Sequence, residues 1–250
     1  MKFYFPKNIF TSSFVELLND DEKQNVVFDA SSVLSKSLND DPGSVGLVPV
    51  LDLLSNKEFY VSQKFGLSFE GPLCNSYIYY DKNETHLSKI HLAGDVSSVE
   101  VLLAKILFRE LYDTDCEIVL QTDLKQPVTG TQVLVGDYNF AENKFTSGIS
   151  FAEEMVEVLS APYVNYVLAS NNKEALEKYG QLFNDAAAGM DKQKVADNNF
   201  IPKESLEFIR ENIDKVIFDF DEQDVIGIKE ILQLPYYHGL INDITEIKFV

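Results

Sequence analysis

Short apolar runs alternate with helically spaced stripes along most of this chain, and that alternation restricts its fold more than any other feature. The sequence predicts strands at Lys2–Phe5, Asn25–Phe28, Val45–Val48, Phe59–Val61, Ser76–Tyr80, Lys89–Ala93, Glu117–Leu120, Gln132–Val135 and Tyr163–Leu168. Several are unbroken apolar runs, as suits strands covered on both faces. Helical patterns fill the gaps. Ser13 and Glu16 have capping-box spacing ahead of Leu17 and Leu18, and so do Ser97 with Glu100 and Ser150 with Glu153. Ser31 or Ser32 precedes Leu34 and Leu38, and Asn171 or Asn172 precedes a stripe through Phe183 that ends near Gly189. Pro202 suits a first helical position, and Asp221 a cap for a last helix stopped by Pro235. Strand–helix–strand order calls for α/β architecture, with parallel strands joined by right-handed crossovers.

The order suggests two such sets, one near residues 2–48 and one near 89–135. Ser76–Tyr80 and Tyr163–Leu168 then read as crossings between two lobes. Lobe one is expected at 1–79 plus 166–250 and lobe two at 80–165, with a mainly parallel sheet in each and the ligand cleft between them. Ligands of open parallel sheets sit beyond the carboxyl ends of the strands.

Composition agrees with this size of object. The chain has 250 residues, 45% of them hydrophobic, enough for two lobes of about 100–150 residues. No apolar run approaches the ~18 residues of a membrane span. The opening residues Met1 to Pro6 lack the apolar centre of a secretory signal, so a cytoplasmic location and no membrane partner are expected. Cys74 and Cys116 lie in no paired-cysteine motif and read as two buried thiols. Lysine and arginine number 21 against 40 acidic residues, giving a net charge of −19. A surface of that sign repels the phosphate backbone, which argues against a nucleic-acid partner.

Several chemistries lack a signature. His86, His91 and His238 have no metal-site spacing, so no metal is expected. There is no nucleophile elbow, no Walker loop and no dinucleotide fingerprint. The adjacent aspartates at 20–21 and 40–41 read as solvated turn residues.

What remains is a set of strand ends. Lys89 to Leu107 reads as a strand, a Gly94-Asp95 turn and a helix opening on Ser97 and Ser98. A helix start of this kind presents free N–H groups that hold a small anion. The same spacing lets Glu100 satisfy those groups instead. Lys7, Asn8 and Thr11 follow the first strand, Gly46 and Pro49 end the third, and Asp137 follows Val135 and Gly136. All converge on the expected cleft.

These segments together resemble the chorismate dehydratase family of the futalosine route to menaquinone. Ser32 to Leu38 followed by Val45 to Pro49 is similar to its helix and "D-V-G-L-I-P" strand. Phe69 to Leu73 is similar to its glycine-containing extended segment. Leu92 to Ser98 resembles its "L-D-x-S-S-R-T-S" loop, Val133 to Asp137 its "L-I-G-D" strand end, and Leu159 to Val164 its "G-L-P-F-V" crossing. The resemblance implies a two-lobed fold of the periplasmic-binding-protein type II class. It implies a lyase that removes water from chorismate in menaquinone biosynthesis without a cofactor. Asn8 and Ser98 are then the expected catalytic residues. Thr11, Gly46, Pro49, Ser97 and Asp137 are expected to hold a small carboxylate-bearing substrate.

The chain departs from that family at two places. Phe10 aligns with the family's functional Asn, and Asn8 replaces it only with a two-residue shift. Val99, Glu100 and Val101 stand in place of "R-T-S". Glu100 facing a substrate carboxylate at ~4 Å would cost about 4 kcal/mol at an effective dielectric of about 20, unless it turns back onto Ser97. Two alternatives to the lyase stay open. One is a non-catalytic small-molecule-binding module of the same fold, and the other is a protein-interaction element without a ligand site.

Overall fold

A computed structural model describes residues 1–84, 86–124, 129–189 and 201–250. The first strands and helices appear in the predicted alternation. β1 (Phe3–Pro6), α1 (Ile9–Val15), α2 (Asp20–Lys23), β2 (Val26–Asp29), α3 (Leu34–Asp40) and β3 (Val45–Pro49) lead into β4 (Tyr60–Phe69). β5 (Ser76–Tyr79), β6 (Lys89–Gly94), α4 (Ser98–Tyr112), β7 (Glu117–Gln121), β8 (Gln132–Val135), α5 (Tyr138–Ala141), β9 (Ile149–Ser150) and α6 (Phe151–Leu159) follow. β10 (Tyr163–Ser170), α7 (Lys173–Ala188), α8 (Lys203–Asn212), β11 (Val216–Asp219), α9 (Glu222–Tyr237) and β12 (Lys248–Phe249) complete the described chain.

The strands form two sheets. One runs β11-β4-β10-β3-β1-β2, with β12 added beside β4, and the other runs β7-β6-β8-β5-β9. Each sheet is mixed, and the expected parallel strands form one part of it. β2, β1 and β3 are parallel neighbours, as are β7, β6 and β8, while β10, β4, β11, β5 and β9 add antiparallel pairings.

Ser76–Tyr79 and Tyr163–Ser170, read from sequence as crossings, are integral strands of the second and first sheets. The chain passes between sheets at residues 70–75 and 160–162, a few residues before the expected boundaries. Every residue of β10 is buried, since β4 and β3 flank it and α7 and α9 pack against it. Phenylalanines fill the space under α1 and α7. Phe14 meets Phe65 at 4.8 Å between ring centroids and Phe183 at 5.8 Å. Such aromatic packing supplies much of a core's apolar burial.

Local signals set several boundaries. Ser97, Ser150, Asn172 and Asp221 accept backbone N–H bonds at the starts of α4, α6, α7 and α9. Other boundaries differ from expectation. Asn8 rather than Ser13 caps α1, because the Asn8 side chain accepts from the Thr11 N–H; Ser13 lies inside the helix and donates to the Ile9 carbonyl. β4 extends to Phe69 instead of ending at Val61, since pairing with β10 on one side and β11 on the other carries it through the polar stretch Ser62 to Lys64. Pro202 caps α8 rather than opening it, and Pro235 lies inside the last turn of α9 rather than stopping it. β9 and β12 are two residues long, too short for a pattern, while β11 is a short apolar run, Val216 to Phe218, outside the strands that the sequence predicts. Both cysteines are free and buried, as the sequence suggests. Among the described residues, no helix is long and apolar enough to cross a membrane.

Candidate functional site

The carboxyl ends of the parallel strands of both sheets meet along one seam. Asn8 and Ile9 follow β1, Ser31 follows β2, and Asp52 lies in the 3-10 turn Val50–Leu54 after β3. From the other sheet come Asp95 and Ser97 after β6 and Asp137 after β8. Pro49 ends β3 and turns the chain into Val50–Leu54, which positions Asp52.

Four carboxyl groups join the two halves. Ser98 Oγ donates to Asp52 Oδ1 at 2.6 Å, and Ser35 donates to the other oxygen of the same carboxylate. Asp95 accepts from both the Ser31 N–H, at 2.9 Å, and the Ser31 hydroxyl, at 2.6 Å. That hydroxyl also meets Tyr166 Oη at 2.6 Å. Asp137 Oδ1 accepts from the Ile9 N–H at 2.9 Å. Glu100 Oε1 accepts from Asn165 Nδ2 at 3.3 Å. Hydrogen bonds to charged groups contribute about 1.5–3 kcal/mol each, so these contacts are a substantial part of what holds the seam.

Glu100 is fully buried and turns back onto its own helix start. Its Oε2 accepts from the Ser97 N–H at 2.9 Å and from the Ser97 hydroxyl at 2.6 Å. The capping box therefore forms, and it removes Ser97 from the set of free ligand-binding groups. Burial pushes the Glu100 carboxyl above the usual carboxylate range, against the hydrogen bonds from Ser97. Burial also pushes Asp137 up to about 6, and the nearby Asp95 charge adds to the effect, while the Ile9 N–H and Lys7 oppose it.

The other expected residues fall in different places. Asn8 is 1% exposed, and its Oδ1 accepts from the Thr11 N–H at 2.9 Å. Its Nδ2 makes no hydrogen bond within the protein. Thr11 is wholly buried and donates to the Pro6 carbonyl, so its hydroxyl closes the α1 turn rather than facing the seam. Gly46 lies within β3, where a Cβ would come 2.8 Å from the Tyr4 carbonyl oxygen. Its role is the close approach of β3 to β1. Phe10 is wholly buried against Phe69, at 5.3 Å between centroids, and Phe140, at 6.2 Å. It belongs to the core.

Beside the seam lies a groove of about 620 Å³ at the carboxyl ends of β6, β7 and β8. Asp95, Gln121, Thr122, Asp137 and Tyr138 line it, and Lys7 reaches it from the first sheet. Sequence reasoning missed Asp52, Asp95 and Asn165. Asp95 had a signal, since it occupies the turn between β6 and α4; Asp52 had none, because its partners Ser35 and Ser98 come from other elements of the fold.

No family model matches the chain, and no curated protein matches it in sequence. Solved structures do match. The alkanesulfonate-binding protein SsuA from Xanthomonas axonopodis pv. citri, bound to MOPS, is 10% identical with a TM-score of 0.68, over 100% of this chain and 97% of that one. Protein AF1704 from Archaeoglobus fulgidus is 13% identical with a TM-score of 0.64, over 95% and 98%. The periplasmic aliphatic sulphonate-binding protein SsuA from Escherichia coli is 12% identical with a TM-score of 0.63, over 99% and 90%. At these identities the likeness is one of fold: the chain has the two-sheet α/β architecture of type II periplasmic solute-binding proteins.

Proposed function

We propose that the protein binds a small molecule by closing its two lobes over it, and that the ligand is uncharged or cationic rather than a dicarboxylate. One observation carries this reading. The backbone and hydroxyl donors at the seam are already served by the chain's own carboxyl groups: Ile9 by Asp137, Ser31 by Asp95 and Ser97 by Glu100. A helix start holds an anion through such donors, so an anionic ligand must displace a tethered one. Lys7 is the one cation among the described residues of the groove. A thermal-shift panel of neutral, cationic and dicarboxylate metabolites tests the reading. Stabilisation by neutral or cationic compounds supports it, and stabilisation by dicarboxylates alone rejects it.

Asn8 favours a second reading, a chorismate dehydratase-like lyase in menaquinone biosynthesis. Its buried amide nitrogen is a donor without a partner inside the protein, at the carboxyl end of β1. On this reading Asn8 contacts a substrate hydroxyl and Ser98 leaves Asp52 to bind a carboxylate. Incubation with chorismate, followed by mass spectrometry, decides it: no product above a control without protein removes the lyase reading.

A further inference from the structure

β6 and β8 are parallel neighbours, with Gly94 opposite Val135 at their carboxyl ends. The residues that follow therefore leave the sheet side by side. The Asp95 N–H donates to the Val135 carbonyl at 3.1 Å, and a Cβ on Gly136 would lie 3.8 Å from that of Asp95. Asp95 and Asp137 both line the groove, where two carboxyl groups face the single ammonium of Lys7 among the described residues. Neither carboxyl group is saturated. The Ile9 N–H takes Oδ1 of Asp137, and each oxygen of Asp95 takes one donor from Ser31, whereas a carboxylate has about four lone-pair sites. Burial and the Asp95 charge hold the Asp137 carboxyl above its ordinary range, a cost that a further cation in the groove relieves. On the other side of β6 the same groove has an apolar wall. Leu120 of β7 and Leu124 beyond it line the groove and are 62% and 36% exposed. Bare leucines lining a groove are surface that the apolar part of a ligand covers.

We propose that the groove binds an amine, with its ammonium group on Asp95 and Asp137 and its apolar body over Leu120 and Leu124. The proposal rests on the small-molecule reading above and names the ligand class that reading leaves open. An ammonium group has donors and no acceptor. It pairs with the free positions of both carboxyl groups and displaces none of their bonds to Ile9 and Ser31. Charge-assisted bonds of this kind are roughly twice as strong as neutral ones, so an alcohol of the same shape binds more weakly. A carboxylate finds only Lys7 and is repelled by both aspartates. The net charge of −19 adds to the preference, since it raises the local concentration of a cation and lowers that of an anion.

Phenethylamine, phenethyl alcohol and hydrocinnamate, which share an aromatic body and differ in the head group, test the proposal. At millimolar concentration and neutral pH the amine is expected to raise Tm by about 2–4 °C, the alcohol by less, and the carboxylate not at all. Asp137→Asn keeps an acceptor for the Ile9 N–H and removes the charge, and it is expected to abolish the amine shift. Asp20→Asn removes an equal charge from the exposed start of α2 and is expected to leave the shift intact, which separates the groove from general attraction to an acidic surface. No response to the amine, an equal response to the alcohol, a shift retained in Asp137→Asn or a shift lost in Asp20→Asn overturns the proposal. Should Asp137→Asn not fold, the difference between amine and alcohol decides alone. X-ray scattering on a wider panel separates the two readings. Compaction by a neutral compound without a response to the amine keeps lobe closure while the ammonium site falls, and no response to any neutral or cationic compound removes the binding reading itself.

Discussion

The Ser98 hydroxyl, at the start of α4, donates across the seam to the Asp52 carboxylate at 2.6 Å. Both residues are half-buried, so the bond is only partly screened by solvent. Ser98→Ala leaves Asp52 with Ser35 alone. The variant is expected to lose about 1–2 kcal/mol in urea denaturation and to show a larger radius of gyration by X-ray scattering. An unchanged radius would mean that this bond does not hold the two halves together.

Asp137 makes the seam sensitive to pH. Its carboxyl is raised from 3.8 to about 6, mainly by burial. The unfolded chain therefore gives up this proton first as pH rises, so stability is lost between about pH 4 and pH 6. The loss attributable to this group is up to about 3 kcal/mol. Asp137→Asn keeps an acceptor for the Ile9 N–H and has no proton to lose. The variant should gain on the wild type across that window, as read from denaturation midpoints at pH 4, 5, 6 and 7.

Gly46 separates a packing role from a binding one. Ala at this position puts a methyl 2.8 Å from the Tyr4 carbonyl and is expected to cost about 1–3 kcal/mol. Ligand-induced shifts in Tm should be retained, since Gly46 faces β1. Loss of binding at unchanged stability would contradict this.

Phe10 tests the alignment that places it at a functional position. Phe10→Ala empties a site enclosed by Phe69 and Phe140 and is expected to cost about 3–5 kcal/mol, measured by urea denaturation. A small cost with lost ligand binding would return Phe10 to the functional site.

The local chemistry of the chain determined a good part of this structure. Ser97 and Glu100 lie one helical turn apart, so their capping box forms from neighbouring residues alone. The apolar runs of β1, β3, β6 and β8 marked out the parallel part of each sheet in the same way. Tertiary structure decided the rest. Whether Ser76–Tyr79 crosses between lobes or joins a sheet depends on β8 and β9, which are distant in sequence. Ser98, Ser31 and Ile9, which meet Asp52, Asp95 and Asp137 across the seam, lie 46, 64 and 128 residues away in the chain. Periodicity and capping report only on neighbours within a turn or two. The bonds of Asp52, Asp95 and Asp137 across the seam arise only once the two sheets face each other, whereas the helix start at Ser97 is filled locally by Glu100.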